Sequence, residues 1–431
     1  MKFNFFGSSR LLKASYYNAL LVLVKVLSGI ISSKVVAVYL GPSGLALLGN
    51  LKSFLGTASS FTAEGYQNGI IRYVSENSEE TSRKAKITTT VFQLSTLFSI
   101  LIGLILWFFS ITWSQYLFKT ADYDFIIKIV AIGLPFWSFN LLIIYILNGL
   151  ENYKKLVAVS SVLSIVNMLT SILLIIKFNL IGGLIAVILG PVIVFVVNII
   201  VLGSERHILL NLFKFKLFKF YVVKDMSAYL LMAIYSTAIV SITVLLIRNL
   251  IIEKLSIDEA GYWEAMNRIS TFYLMFFTSL TSFYLLPRLS KISDSRVFKS
   301  ELKGFYSLSI PLLVVSFIII YFLRFFILKL LLSDDFLPTS SLFFWQLVGD
   351  FISILAIALV KQFHAKRMVQ AYLICNGILN ILYYVISCYF IEIYGLIGVT
   401  KAYALSYLVY LIIVFIFVFS YFKRNNRLKH E

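Results

Sequence analysis

The chain has little of what soluble folds depend on. Charged residues make up 13% of its 431 positions and hydrophobic ones 60%, against roughly 25% and 45–50% in soluble domains. A soluble enzyme is excluded on that balance. Only two cysteines occur, Cys375 and Cys388, both in one apolar run. They form neither a disulfide framework nor a metal-binding spacing, and they leave the redox compartment open. The three histidines, His207, His364 and His430, have no ligand partners at metal spacing, so no metal and no bound cofactor is expected. Acids are scarce as well, 20 against 38 Lys and Arg, which gives a net charge of +18. No nucleic-acid motif accompanies that charge, so nucleic acid is not an expected partner.

What the chain does have is long apolar runs. They are continuous, unlike the alternating segments of about 10 residues that build a membrane barrel. Twelve runs have the roughly 20 residues that a bilayer span requires. They lie at 15–40, 45–71, 87–110, 125–148, 156–177, 181–203, 226–250, 260–286, 305–323, 338–362, 368–391 and 396–422. The first is longer than a signal-peptide core and has no small-residue cleavage site, so it is read as a retained span. The runs also repeat. Gly44 aligns with Gly261, Lys52 with Arg268, Arg72 with Arg288, and Leu180-Ile181-Gly182 with Leu396-Ile397-Gly398, at offsets of 216 or 217. That is half the chain, so two tandem copies account for its length. Six spans per copy is an even number. The copies therefore enter the membrane in the same orientation, a parallel repeat. The expected architecture is an all-α polytopic membrane protein. Residues 1–203 form an N-terminal six-helix lobe, 204–225 a basic linker, and 226–431 a second six-helix lobe.

Loop charge sets the expected orientation. The N-terminus, alternate loops and C-terminal tail hold 26 Lys and Arg. The opposite loops and their flanks hold six, namely Lys119, Lys177, Arg248, Lys254, Arg324 and Lys329. Both termini are then cytoplasmic. The linker interleaves Lys214, Lys216 and Lys219 with Phe213, Phe215, Phe218 and Phe220. This pattern suits a short helix lying on the anionic cytoplasmic leaflet, or a plain surface-anchored connector.

Charges inside spans are costly and usually face a bundle interior or a wet cavity. Lys128 follows Asp124 by four residues at a helix end and reads as a surface pair. Lys25, Lys34, Lys52, Arg268 and Lys401 lie within spans. Lys25 is near mid-membrane on a face with Ser28 and Ser32, whereas Lys34 can snorkel outward. Lys52 and Arg268 hold equivalent places in the two copies. A cavity role is read for both, although Glu264 and Arg268, at i and i+4, also fit a self-neutralising pair. In the eighth span Glu264, Arg268, Thr271, Thr278 and Ser282 make one polar stripe. Substrate contacts are thus expected from Lys25, Lys52, Arg268 and Lys401. Asp350, Glu64 and Glu264 are the intramembrane acids, and proton or sodium coupling is expected of them. Asp350 shares a face with Gln346 and Ser353 and equally fits a buried structural acid. Pro135 and Pro191 interrupt two spans, either as kinks that permit bending or as tolerated breaks.

Three segments, LGPSGLALLGN (40–50), SFYLLPRLSKI (282–292) and FFWQLVGD (343–350), resemble the Wzx-type flippases of O-antigen and enterobacterial common antigen (lipid III), in the MOP exporter superfamily. The resemblance runs from about residue 13 to 422. It implies two six-helix lobes forming a V around a central cavity. It also implies movement of undecaprenyl-pyrophosphate-linked oligosaccharide from the cytoplasmic to the periplasmic leaflet of the bacterial inner membrane. Ion antiport in related exporters extends to this chain as an expectation, as do contacts with other polysaccharide-assembly membrane proteins. Arg268, Lys401 and His364 lie outside positions that can be matched, so their roles rest on the physical reading. That reading agrees with the resemblance. An anionic head needs a hydrated cationic path, while its greasy tail can stay in membrane lipid. Two rivals were weighed. A membrane-embedded polymerase or ligase enzyme would carry a large outer loop, but the longest here is about 15 residues. An exporter of the same fold for drugs fits a cation-rich cavity poorly, and one for lipid II is set aside only by the motifs.

Overall fold

A computed structural model describes residues 9–427 except 77–80, 202–213, 215, 216, 282–284, 286, 287, 290, 291, 293 and 367. Most of the linker, Ser282 and His207 lie outside the described residues. Among those described, every regular element is helical. The helices are α1 (Ser9–Ser60), α2 (Gln67–Glu76), α3 (Thr81–Phe108), α4 (Ser110–Phe118), α5 (Asp124–Gly149), α6 (Tyr153–Val201), α7 (Phe220–Lys254), α8 (Ile257–Leu280), α9 (Ser295–Phe322), α10 (Arg324–Leu331), α11 (Phe343–Ala365), α12 (Val369–Tyr394) and α13 (Leu396–Arg427). A hydrocarbon core tolerates this, because helices satisfy their own backbone groups.

Nine of the described helices are long and apolar enough to cross a membrane. Two of the nine, Ala19–Ser60 and Tyr153–Ile199, are twice the needed length. Each holds a backbone break near its middle, Gly41 (φ 64°, ψ −167°) before Pro42 in α1 and Asn179 (φ 49°, ψ −130°) in α6. Only glycine, and to a lesser degree asparagine, enters that region readily.

The repeat is visible in backbone detail. Gly395 (φ 59°, ψ −144°) ends α12, 216 positions after Asn179 and with nearly the same angles. Past each break a glycine packs against a carbonyl eight residues back. A Cβ on Gly182 would sit 1.9 Å from the Leu174 oxygen, and one on Gly398 would sit 2.1 Å from the Phe390 oxygen. Both copies make the same tight reversal. Each copy also follows a long helix, α3 or α9, with a short one, α4 or α10, before the next span.

One difference concerns the second span. The apolar run 45–71 is not one helix: α1 stops at Ser60, and a 3-10 turn over Glu64–Tyr66 leads into α2. Ser59, Ser60 and Thr62 bond back to nearby carbonyls, which favours termination over continuation.

The described contacts divide the chain into two units, Met1–Leu40 with Leu47–Ile242, and Gly41–Ala46 with Thr243–Glu431. The first has its core where α2, α3, α5 and α6 meet, around Ile70, Val74, Val91 and Leu142. Asn140, buried on α5, donates to the Pro191 carbonyl at 2.6 Å and accepts from Asn198 at 2.7 Å, tying the proline turn of α6 in place. Lys219 N donates to Thr90 Oγ1 at 3.0 Å, seating the end of the linker on α3. The second unit packs α9, α11, α12 and α13 around Phe298, Leu302, Phe363 and Phe422. The expected pair at the start of α5 is present, with Lys128 Nζ 2.7 Å from Asp124 Oδ2.

Candidate functional site

The second unit holds two polar clusters, and α8 contributes to both. Ser256 caps its N-terminus by accepting from Glu259 N at 3.1 Å, and Asp258 and Glu259 suit the positive end of the helix dipole. That fixes where the α8 side chains point.

The first cluster is built on Glu264. Arg248 Nη2 reaches its Oε2 at 2.6 Å, and Arg268 Nε reaches its Oε1 at 3.0 Å. Arg248 is 1% exposed and its guanidinium stacks 5.5 Å from the Trp263 ring. Two cations share one carboxylate. Arg268 Nη2 is buried without a hydrogen-bond partner. A guanidinium donor with spare capacity fits an oxyanion of carboxylate or phosphate type. This corrects the place of Arg248. A cation at the end of an apolar run reads as a loop flank, but it is buried and belongs to the Glu264 site. The i,i+4 pair expected from Glu264 and Arg268 is present, and Arg248 joins the same carboxylate.

The second cluster surrounds Asp350 on α11, which is fully buried. Ser270 donates to Oδ2 at 2.6 Å, Tyr273 donates to the same oxygen, Tyr403 donates to Oδ1 at 2.8 Å, and Gln346 donates to Oδ1 at 3.3 Å. Four donors from α8, α11 and α13 meet one carboxyl. Among the described residues no cation pairs with it. A carboxyl held this way can exist as an anion satisfied by hydrogen bonds, and protonating it would displace or reverse one of them. Gly349 makes the approach possible. A Cβ there would fall 2.3 Å from the Tyr403 ring. Ser353 on the same face bonds back to the Asp350 carbonyl at 2.8 Å.

The two clusters use different sides of α8. Arg268 and Ser270 are about 200° apart around the helix. Of the expected stripe, Glu264 and Arg268 meet, while Thr271 and Thr278 bond to carbonyls of their own helix.

The remaining candidates are separate. Lys401 lies 3.4 Å from the centre of the Tyr394 ring and 5.7 Å from that of Trp345, a cation–π setting. Lys25 and Lys52 are exposed on α1, with Ser28 and Leu51 buried beside them. Glu64, in the 3-10 turn, accepts from Ser59 at 2.5 Å. His364 bonds through Nδ1 with the Val360 carbonyl at 3.2 Å. No group of metal-ligating side chains occurs among the described residues.

The model of a family described as "Polysaccharide biosynthesis protein" matches residues 11–293. The chain belongs to this family. Over 405 residues it is 28% identical to the protein named Lipid III flippase of Escherichia coli (strain K12), covering 93% of this chain and 96% of that one. The protein of that name from Shigella flexneri matches equally. Among solved structures, an inward-facing multidrug resistance MATE family transporter of the MOP superfamily superposes with a TM-score of 0.77 at 14% identity, over 96% of this chain and 99% of that one. The lipid II flippase MurJ, in an inward closed conformation, gives 0.69 at 15% identity, over 94% of this chain and 87% of that one. This member of the polysaccharide biosynthesis protein family therefore has the fold of those transporters and is a multi-pass membrane protein.

Arg248, Ser270, Tyr273 and Tyr403 were not singled out from sequence. For Arg248 no local signal existed, because Glu264 already has Arg268 at i+4 and Arg248 lies 16 residues away. The hydroxyl donors carried none, because serine and tyrosine are common in spans of every kind.

Proposed function

We propose that this protein is a transporter that moves an undecaprenyl-pyrophosphate-linked oligosaccharide, an O-antigen or common-antigen unit, between leaflets by alternating access. The observation that carries the reading is the buried Arg268 guanidinium beside Glu264, with its Nη2 unbonded. A buried carboxylate with two guanidiniums, one of them with an unused donor, suits a pyrophosphate as third partner. Similarity to proteins named lipid III flippase supports the lipid-linked sugar as the cargo class. Arg268 is the central contact, with Lys52, its repeat equivalent 216 positions earlier, and Lys25 and Lys401 as further contacts. Asp350 is proposed as the ion-exchanging acid, with Glu64 and Glu264 as secondary candidates.

The proposal includes twelve spans. Dividing α1 at Gly41 and α6 at Asn179 adds two to the nine, and α8, whose charges lower its hydropathy, adds the last. Both ends are cytoplasmic on the loop-charge bias, in the bacterial inner membrane.

The test is complementation of flippase-deletion strains that make defined glycans, with matched protein levels. Restored surface glycan from one substrate class supports the reading. Lys52→Ala combined with Arg268→Ala should nearly abolish it. Normal glycan from that double variant removes both residues from the substrate path.

A further inference from the structure

We propose that the second unit carries a binding site for an anionic glycerophospholipid, separate from the two polar clusters. A groove of about 830 Å³ lies between α9, α11 and α13, within the ~300–1,000 Å³ typical of ligand sites. Its walls are apolar, formed by Ile310, Pro311, Leu359, Ile412, Phe415 and others. The few polar groups along it are already used. Tyr306 donates to the Leu355 carbonyl at 2.8 Å, and Ser307 donates to the Gly304 carbonyl at 2.9 Å. Nothing along the walls is left to hold a sugar.

Charge gathers at one end. Lys299 and Lys303 are one helical turn apart on α9, both exposed and both at the groove. Among the described residues neither forms an ion pair, and the nearby Glu301 is held by Arg288 at 3.0 Å. Lys299 Nζ lies 5.3 Å from the centre of the Phe419 ring, so the aromatic wall and the cation meet at the mouth. From Lys299 to Pro311 the helix rises about 18 Å, close to the ~15 Å of one leaflet of hydrocarbon. An apolar slot one leaflet tall, with two ammonium groups at one end, matches an acyl chain under a phosphate. A polyprenyl chain would outrun it, and a free phosphate would have no use for the walls.

The test is native mass spectrometry of the full chain in detergent, titrated with phosphatidylglycerol and phosphatidylethanolamine of matched acyl chains. Two lysines near an anionic headgroup, at about 1 kcal/mol each, should favour phosphatidylglycerol roughly thirtyfold. Lys299→Gln with Lys303→Gln should remove that preference, and Lys299→Arg with Lys303→Arg should keep it. Ile412→Trp, which fills the slot, should weaken both lipids. Equal binding of the two lipids to the unaltered protein overturns the proposal and needs no variant. So does a preference that survives the glutamine pair. Displacement of phosphatidylglycerol by equimolar polyprenyl phosphate would instead make the groove a substrate-tail site, and displacement by inorganic phosphate would make it an anion site. Glycan export is not the readout, so failure here leaves the transport reading untouched.

Discussion

The Glu264 cluster predicts an order of effects that simple loss of contacts does not. In Arg248→Met the carboxylate keeps Arg268. The charge-assisted hydrogen bond to Glu264 is lost, on the order of 1.5–3 kcal/mol, partly offset by the apolar side chain filling the space beside Trp263. In Glu264→Gln both guanidiniums stay and the anion is gone. They sit 2.6 and 3.0 Å from oxygens of one carboxylate, so they are at most about 8 Å apart. At an effective dielectric of about 20 their repulsion is then at least ~2 kcal/mol. Breaking a buried pair by removing one partner adds roughly 3–5 kcal/mol.

Glu264→Gln should therefore unfold well below Arg248→Met in detergent-solubilised protein. Export should separate them differently. Arg248→Met remains folded, but Glu264 then holds Arg268 more tightly and the Arg268 guanidinium is less available to a substrate. Surface glycan in a deletion strain should fall severalfold at matched protein levels. The reasoning is refuted if Arg248→Met exports normally while Glu264→Gln melts no lower than it does. That result would make the cluster a structural tie with no part in transport.

Three further outcomes are expected. Asp350→Asn should insert and fold, because the amide oxygen can still accept from Tyr403 and Gln346 while the Ser270 and Tyr273 hydroxyls turn to accept from its NH2, but should lower glycan export; wild-type export across external pH would end the coupling role. Gly182→Ala and Gly398→Ala should each destabilise by about 1–3 kcal/mol, since a backbone carbonyl cannot yield, and chemical denaturation of the two proteins would detect it; neutrality of both would mean the reversals are loose. Cysteines placed at 120 and 256 should react with an impermeant periplasmic reagent, and those at 82 and 295 should not; the reverse pattern would invert the topology.

Much of the fold was legible because a bilayer imposes simple demands. Length and apolarity alone locate α3, α5, α9 and α12. The 216-residue offset of Leu180-Ile181-Gly182 announces a repeat whose backbone breaks at Asn179 and Gly395 nearly coincide in angle. Asp124 and Lys128 needed only helical spacing to be paired. The site was less legible. Periodicity assigns a side chain to a face, not to a neighbour on another helix. Arg248 lies 16 residues before Glu264 and Tyr403 lies 53 after Asp350, and nothing local connects either pair. The run through Glu64 failed for another reason. Hydropathy does not register three hydroxyl side chains that bond to their own backbone and end a helix inside an apolar stretch.

The position of α8 explains how one element could serve both proposed roles. Ser270 and Tyr273 tie one side of it to Asp350, and Arg268 on the other side is tied to Glu264. Protonating a carboxyl turns one of its acceptor sites into a donor, so an ion exchanged at Asp350 must change which of its four donors stay bound. Two of the four belong to α8. A rigid helix has few ways to respond other than turning or sliding slightly, and Arg268, two residues from Ser270, moves with it. On the proposed roles, occupancy of Asp350 and presentation of the Arg268 guanidinium would be linked inside one unit, through a single helix. Coupling by this route requires that each site bias the same two-state element, and α8 is the element that both clusters hold.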